Sequence, residues 1–244
     1  MTRVASSVAA LALLGSASIA PGLAQEQPAT RVAWAPSHSG SCTNCALAGH
    51  DLSGWNLSDA NYPGADISGA TLRSLTAHRV DFSGANAEGA DFRGGDLSEA
   101  RFEGARLAGA RLSGAILLGA GFVEADLTAA QLTSATLIGA NLEAAQLPGA
   151  LAHGADFSAA NLNRTDFRSA DLAQAVFDNA VMIGADLKGA NIDQASFRDA
   201  RLSGADLSTA IGAASADFNG ACGDALTLMP YGMYLSECVS VSQP

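Results

Sequence analysis

Residues 125–164 read ADLTA AQLTS ATLIG ANLEA AQLPG ALAHG ADFSA ANLNR, and the same step of five continues without insertion to Ala210. The large apolar residue of each step, its centre, falls at every number ending in 2 or 7. From Leu47 to Leu207 there are 33 centres, each Leu, Ile, Phe, Met, Tyr or Ala. Two residues before each centre sits a small residue. Between Ala60 and Ala210 it is Ala in 27 of 31 places, and the exceptions are Leu75, Val80, Gly95 and Thr165. The residue just before the centre favours Asp or Asn, and the two after it vary. Five matches neither the helical period of 3.6 nor the strand period of 2. A unit that cannot bury its own apolar residue must bury it against copies of itself. The spacing therefore predicts a coil that turns a corner every five residues, with centre and Ala inward and the other three residues outward.

The phenylalanines set the number of sides. All nine are centres once a one-residue slip before Phe218 is allowed. Phe82, Phe102 and Phe122 are spaced by 20, and so are Phe157, Phe177 and Phe197. Tyr62 extends the first series backwards, and Phe218 extends the second one residue late. Twenty residues is four steps, so a four-sided coil would stack these rings into ladders about 4.8 Å apart. Ala77, Phe82, Ala87 and Phe92 alternate small and large around one level, as a narrow core requires. This A(D/N)LXX pattern resembles the pentapeptide repeat family over about two-thirds of the chain. The resemblance implies an all-β fold, a right-handed four-sided parallel β-helix. It implies no single function, since the family includes scaffolds and DNA mimics.

Residues 1–24 read as a secretory signal: Arg3, an apolar run from Val4 to Ala20, and small residues before Gln25. Residues 25–45 form a polar lead-in and N-terminal cap, where Trp34 is expected to pack on the first coil. Residues 46–221 are the repeat. His50, Trp55, Leu75 and Val80 occupy small slots, which predicts distorted corners or a bulge around Arg73 to Val80. Residues 222–244 have no repeat and resemble the closing segment of secreted pentapeptide repeat proteins, a C-terminal cap.

The net charge is −11, or −12 without the signal. Twelve of the 24 acids are Asp just before a centre, so the repeat itself generates the acidity. Cys42, Cys45, Cys222 and Cys238 in an exported chain read as disulfides. About eight coils, roughly 40 Å, separate the two pairs, so each pairs within its own end. A zinc site using Cys42, Cys45, His38 and His50, or a redox role for the two cysteines, is the weaker reading. His78 and His153 are scattered outward positions. No catalytic residue, cofactor site or metal site is expected.

The best reading is an exported, non-enzymatic structural or protein-interaction module in a bacterial periplasm or outside the cell. It has no membrane span after signal cleavage, binds no nucleic acid directly and acts on an unidentified protein partner. The alternative is an acidic nucleic-acid mimic that binds a topoisomerase-like enzyme. Leu228, Met229, Tyr231, Met233, Tyr234 and Leu235 crowd into the tail. They read first as the lid that closes the last coil; any surplus makes Tyr231, Met233, Tyr234 and Leu235 the candidate interface, with a homodimer through that end as the contact it would serve.

Overall fold

One repeat shows how the chain satisfies its backbone. Asp126 N–H donates to Ala105 O (2.9 Å) in the preceding coil, and Leu127 N–H to Gln146 O (2.7 Å) in the following one. Ala129 N–H donates to Pro148 O (3.0 Å), and Ala130 N–H closes a turn onto Leu127 O (3.0 Å). The remaining donor, Thr128 N–H, is taken by Asp126 Oδ1 at 2.9 Å. Every N–H of the unit thus has an acceptor, as buried backbone demands. The turn carries positive φ at its third residue, the arrangement of a type II turn. All 33 such positions from Asn44 to Gly204 have φ between 50° and 69°.

The structure, a computed structural model, describes residue 40 and residues 42–238. The signal, Trp34 and His38 lie outside the described residues. Parallel bridges join the residue just before each centre to the one 20 later, from Ala46↔Asp66 to Asn191↔Ile211. Each coil therefore holds 20 residues and four turns, and the whole is a β-helix. The register then slips: Ser196 bridges Asp217, Arg201 bridges Cys222, and Asp206 bridges Leu228. Centres and small residues from Ala60 to Leu207 form one continuous buried core.

Two ring ladders run inside it. Tyr62, Phe82, Phe102 and Phe122 have successive centroid distances of 5.9, 5.5 and 5.1 Å. Phe157, Phe177, Phe197 and Phe218 stack at 5.1, 4.9 and 4.9 Å. Phe92 and Phe167 each meet two rungs edge-on from across the core. The bulge expected around Arg73 to Val80 is absent. Bridges Thr71↔Asp91 and Thr76↔Asp96 are unbroken, and Ser74 and Arg79 keep the ordinary turn φ. The volume is absorbed one coil later, where a Cβ on Gly95 would lie 2.6 Å from Leu75 Cδ2. Thr165 sits in a small slot fully buried and donates its hydroxyl to Leu142 O at 2.9 Å.

Candidate functional site

The C-terminal end departs from the repeat, and its chain path is set by a polar latch. Asp224 Oδ1 accepts from Gly204 N–H and Leu226 N–H, both at 2.9 Å. Thr227 Oγ1 accepts from Asp224 N–H (2.8 Å) and donates to Leu202 O (2.9 Å). Burial pushes the Asp224 carboxyl up, but the backbone donors of Leu226 and Gly204 outweigh it and hold it below the usual range. The latch turns the chain so that Leu228 can bridge Asp206 in the last coil.

Beyond it, Met233 N–H closes a turn onto Pro230 O (3.0 Å), with Gly232 at φ 84°. Glycine suits that position because L side chains are strained at positive φ. Tyr231 is the second residue of this turn and projects fully into solvent. The chain returns as strand β2 (Ser236–Glu237), parallel to strand β1 (Cys222–Gly223). Cys238 is bonded to Cys222, with Cα atoms 4.7 Å apart.

The apolar residues of this end divide into two sets. Met229, Met233 and Leu235 pack half-buried against the core. Tyr234 is 91% exposed, Leu226 75% and Leu228 50%. Leu228 and Tyr234, with Thr227, Pro230, Tyr231 and Leu235, line a concavity of about 370 Å³. Of the four candidate interface residues, Tyr231 and Tyr234 therefore face solvent, while Met233 and Leu235 face the core. Leu226 and the Asp224–Thr227 latch were missed in the sequence. The Asp-x-x-Thr spacing was the available signal.

Other sequence candidates lie elsewhere. Cys42 and Cys45 are bonded to each other at the opposite end, where Cys42 N–H donates to Asn61 O (2.8 Å) and Asp66 N–H to Cys45 O (2.7 Å). His50 places Nδ1 3.0 Å from Ala48 O. His78 Nε2 lies 2.8 Å from Asp96 Oδ2 on an outer wall, and His153 is exposed on another. Among the described residues no helix is long and apolar enough to cross a membrane.

The acidic surface has a local explanation. All twelve Asp residues before a centre accept the backbone N–H two residues on, at 2.9 to 3.3 Å. Asn56, Asn86, Asn141, Asn161 and Asn191 accept the same N–H without a charge. The side chain is there to complete the turn.

The sequence profile of pentapeptide repeats matches this chain in eight copies, over residues 41–74, 78–114, 96–132, 125–164, 160–199 and 175–211. This chain belongs to the pentapeptide repeat family. No curated protein matches it. Among solved structures it is similar to the pentapeptide repeat protein HetL of the cyanobacterium Nostoc sp. strain PCC 7120, involved in regulating heterocyst differentiation. Identity is 32%, over 81% of this chain and 90% of HetL, with a TM-score of 0.47. The plasmid-mediated fluoroquinolone resistance protein QnrB1 is 20% identical over 76% of this chain and 94% of its own, with a TM-score of 0.38. A pentapeptide repeat protein of the Arabidopsis thaliana thylakoid lumen is 36% identical over 45% of this chain and 63% of its own, at 0.28.

Proposed function

We propose that this pentapeptide repeat protein is an exported, non-enzymatic interaction module, working in a bacterial periplasm or outside the cell. In this reading residues 1–24 are removed as a signal. Residues 46–221 form a right-handed four-sided rod, closed by a cap at 25–45 and another at 222–244. The rod is a rigid spacer and its C-terminal cap is the contact surface. One observation carries the proposal: Tyr231 and Tyr234 stand in solvent beside a concavity, although the core beneath them is already covered by Met229, Met233 and Leu235. Exposed aromatic patches of this kind mark interfaces. Disulfides at both ends fit an oxidising compartment.

The first occupant is a second copy of the chain. Among the described residues β2 pairs only with β1, so its other edge is open to β2 of a partner across a two-fold axis. Sedimentation velocity tests this on the chain and on a Tyr231→Asp, Tyr234→Asp variant. A dimer that the paired substitution dissociates supports the contact; a monomer at high concentration ends it. Mass analysis of the N-terminus from native cells tests export separately. The expected result is cleavage after Ala24, and an intact Met1 would refute it.

A further inference from the structure

The rod is acidic, yet one wall of its early coils gathers arginines. Bridges stack Thr71, Asp91, Arg111 and Gln131 in register on that wall. Arg73 and Arg93 follow two residues after Thr71 and Asp91 on successive coils, so their side chains rise over the same spot. Asp91 lies at the middle and is only 6% exposed. Its Oδ2 accepts from Arg73 Nε at 2.6 Å and from Arg93 Nη2 at 2.7 Å, and its Oδ1 from Arg93 Nε at 2.8 Å. Arg111 Nη1 stands 3.6 Å from Oδ2, beyond hydrogen-bond reach. The Arg111 guanidinium makes no hydrogen bond among the described residues.

This arrangement is unlike the other ion pairs of the rod. Arg79 has Asp59, Arg106 has Glu88 and Arg198 has Asp217, each a carboxylate of its own. Arg101 lies between Asp81 and Glu103, and Lys188 between Asp186 and Asp206. Here three cations share one buried carboxylate. Asp51, two coils earlier on the same wall, still leaves three positive charges against two negative. The neighbour bridged to Arg111 in the next coil is the neutral Gln131. The three arginine side chains keep 32% to 52% of their surface in solvent.

Asp91 thus holds like charges together against their repulsion and leaves their outer donors facing water. Guanidinium forks match tetrahedral oxyanions better than ammonium groups do. We propose that Arg73, Arg93 and Arg111 form an anion site for a phosphoryl group. The anionic phosphoryl oxygens would sit over Arg111 and bridge to the outer nitrogens of the other two. The group could arrive on a soluble phosphate ester or on a phospholipid headgroup, since the chemistry met by the arginines is the same.

The test follows arginine Nε–Hε signals of the purified, isotope-labelled chain by NMR at fixed ionic strength. One arm adds inorganic pyrophosphate; the other adds vesicles of phosphatidylglycerol or, as control, phosphatidylcholine. The expected result is a saturable change at Arg73, Arg93 and Arg111, with the distant Arg201 unmoved. Arg111→Gln weakens binding at least about tenfold. Gln131→Glu, which sets an acid over Arg111 without touching the arginines, weakens it similarly, so loss of fold in one variant leaves the other informative. Saturation with pyrophosphate identifies a soluble ligand. Binding to the anionic vesicles alone, lost in both variants, identifies the headgroup. Changes that never saturate, that Arg201 shares, or that both variants retain in full would overturn the site.

Discussion

The two ring ladders have the same period and the same chemistry, but their rings are not set alike. In the first ladder the interplanar angle falls from 38° at Tyr62–Phe82 to 27° at Phe82–Phe102 and 4° at Phe102–Phe122. In the second every pair lies within 9° of parallel. The difference follows the small slots around them. The first ladder starts among coils with Trp55, Leu75 and Val80 in those slots and Ala77 and Ala87 as centres. The second is flanked by Ala everywhere except Thr165. Uneven neighbours make a ring rotate to fill space, whereas even neighbours let it stack. Aromatic spacing puts the rings over one another, and the regularity of the Ala slot decides how flat they lie.

The largest test of that comparison is truncation within each ladder. Phe177→Ala is expected to cost about 3–5 kcal/mol in chemical denaturation, because a fully buried ring leaves a cavity between two close rungs. Phe82→Ala should cost less by roughly 0.5–1.5 kcal/mol, since its neighbours are tilted and can move into the gap. Ala175→Gly should cost only about 1 kcal/mol. Equal losses at Phe177 and Ala175 would refute the inward assignment of the centres.

The irregular coils can be broken at their point of compensation. Gly95→Ala should destabilise by about 1–3 kcal/mol, because the new methyl meets Leu75 Cδ2. Leu75→Ala combined with Gly95→Ala should recover part of that loss, a non-additivity that a double-mutant cycle reads directly. Strict additivity would mean that the two sites do not share volume.

A smaller effect comes from Asp91 in the same coils. Burial pushes its carboxyl up, but hydrogen bonds from Arg93 and Arg73 outweigh this and hold it at about 2. The unfolded value is about 3.9, so the folded state binds the proton less readily. Its contribution is full above about pH 4 and is lost as pH falls through about 2. After screening of the half-exposed arginines it amounts to roughly 1–2 kcal/mol. The stability difference between the chain and Asp91→Asn should therefore shrink over that window and stay constant above it.

The smallest change has the opposite sign. The Tyr62 hydroxyl is buried at the start of the first ladder with no partner among the described residues. Tyr62→Phe should stabilise by about 1 kcal/mol, since it removes an unsatisfied polar atom and keeps the ring. A loss of stability would show that the hydroxyl has an acceptor.

Much of the rod was legible because its signals are local and repeated. Period, centres, small slots and the spacing of the rings all follow from residue numbers. One signal was present and unread. The second residue after each centre was taken to vary freely, yet it carries positive φ at every such position from Gly49 to Gly204, and Gly fills 17 of those 32. The preference for Asp or Asn was seen but not its cause, the one N–H per repeat that the coils leave without a backbone acceptor. The expected bulge near Leu75 failed for a different reason. Its remedy, Gly95, is 20 residues away in the chain and adjacent only once the coils are stacked. At the C-terminal end the sequence gathered the apolar residues but could not sort Met233 and Leu235, against the core, from Tyr231 and Tyr234, in solvent. The turn from Pro230 to Met233 decides that.

By itself the sequence determined the repeat, because every unit faces the same choice between water and its own copies, and that choice recurs at fixed spacing. Tertiary structure alone decided what depends on residues a whole coil apart. It tilted the first ladder and flattened the second, and it placed Gly95 over Leu75. It also brought Arg73, Arg93 and Arg111 onto one carboxylate and turned Tyr231 outward while Met233 turned in. Each of these is a matter of which side chains share a volume, and that is fixed only when the coils are stacked.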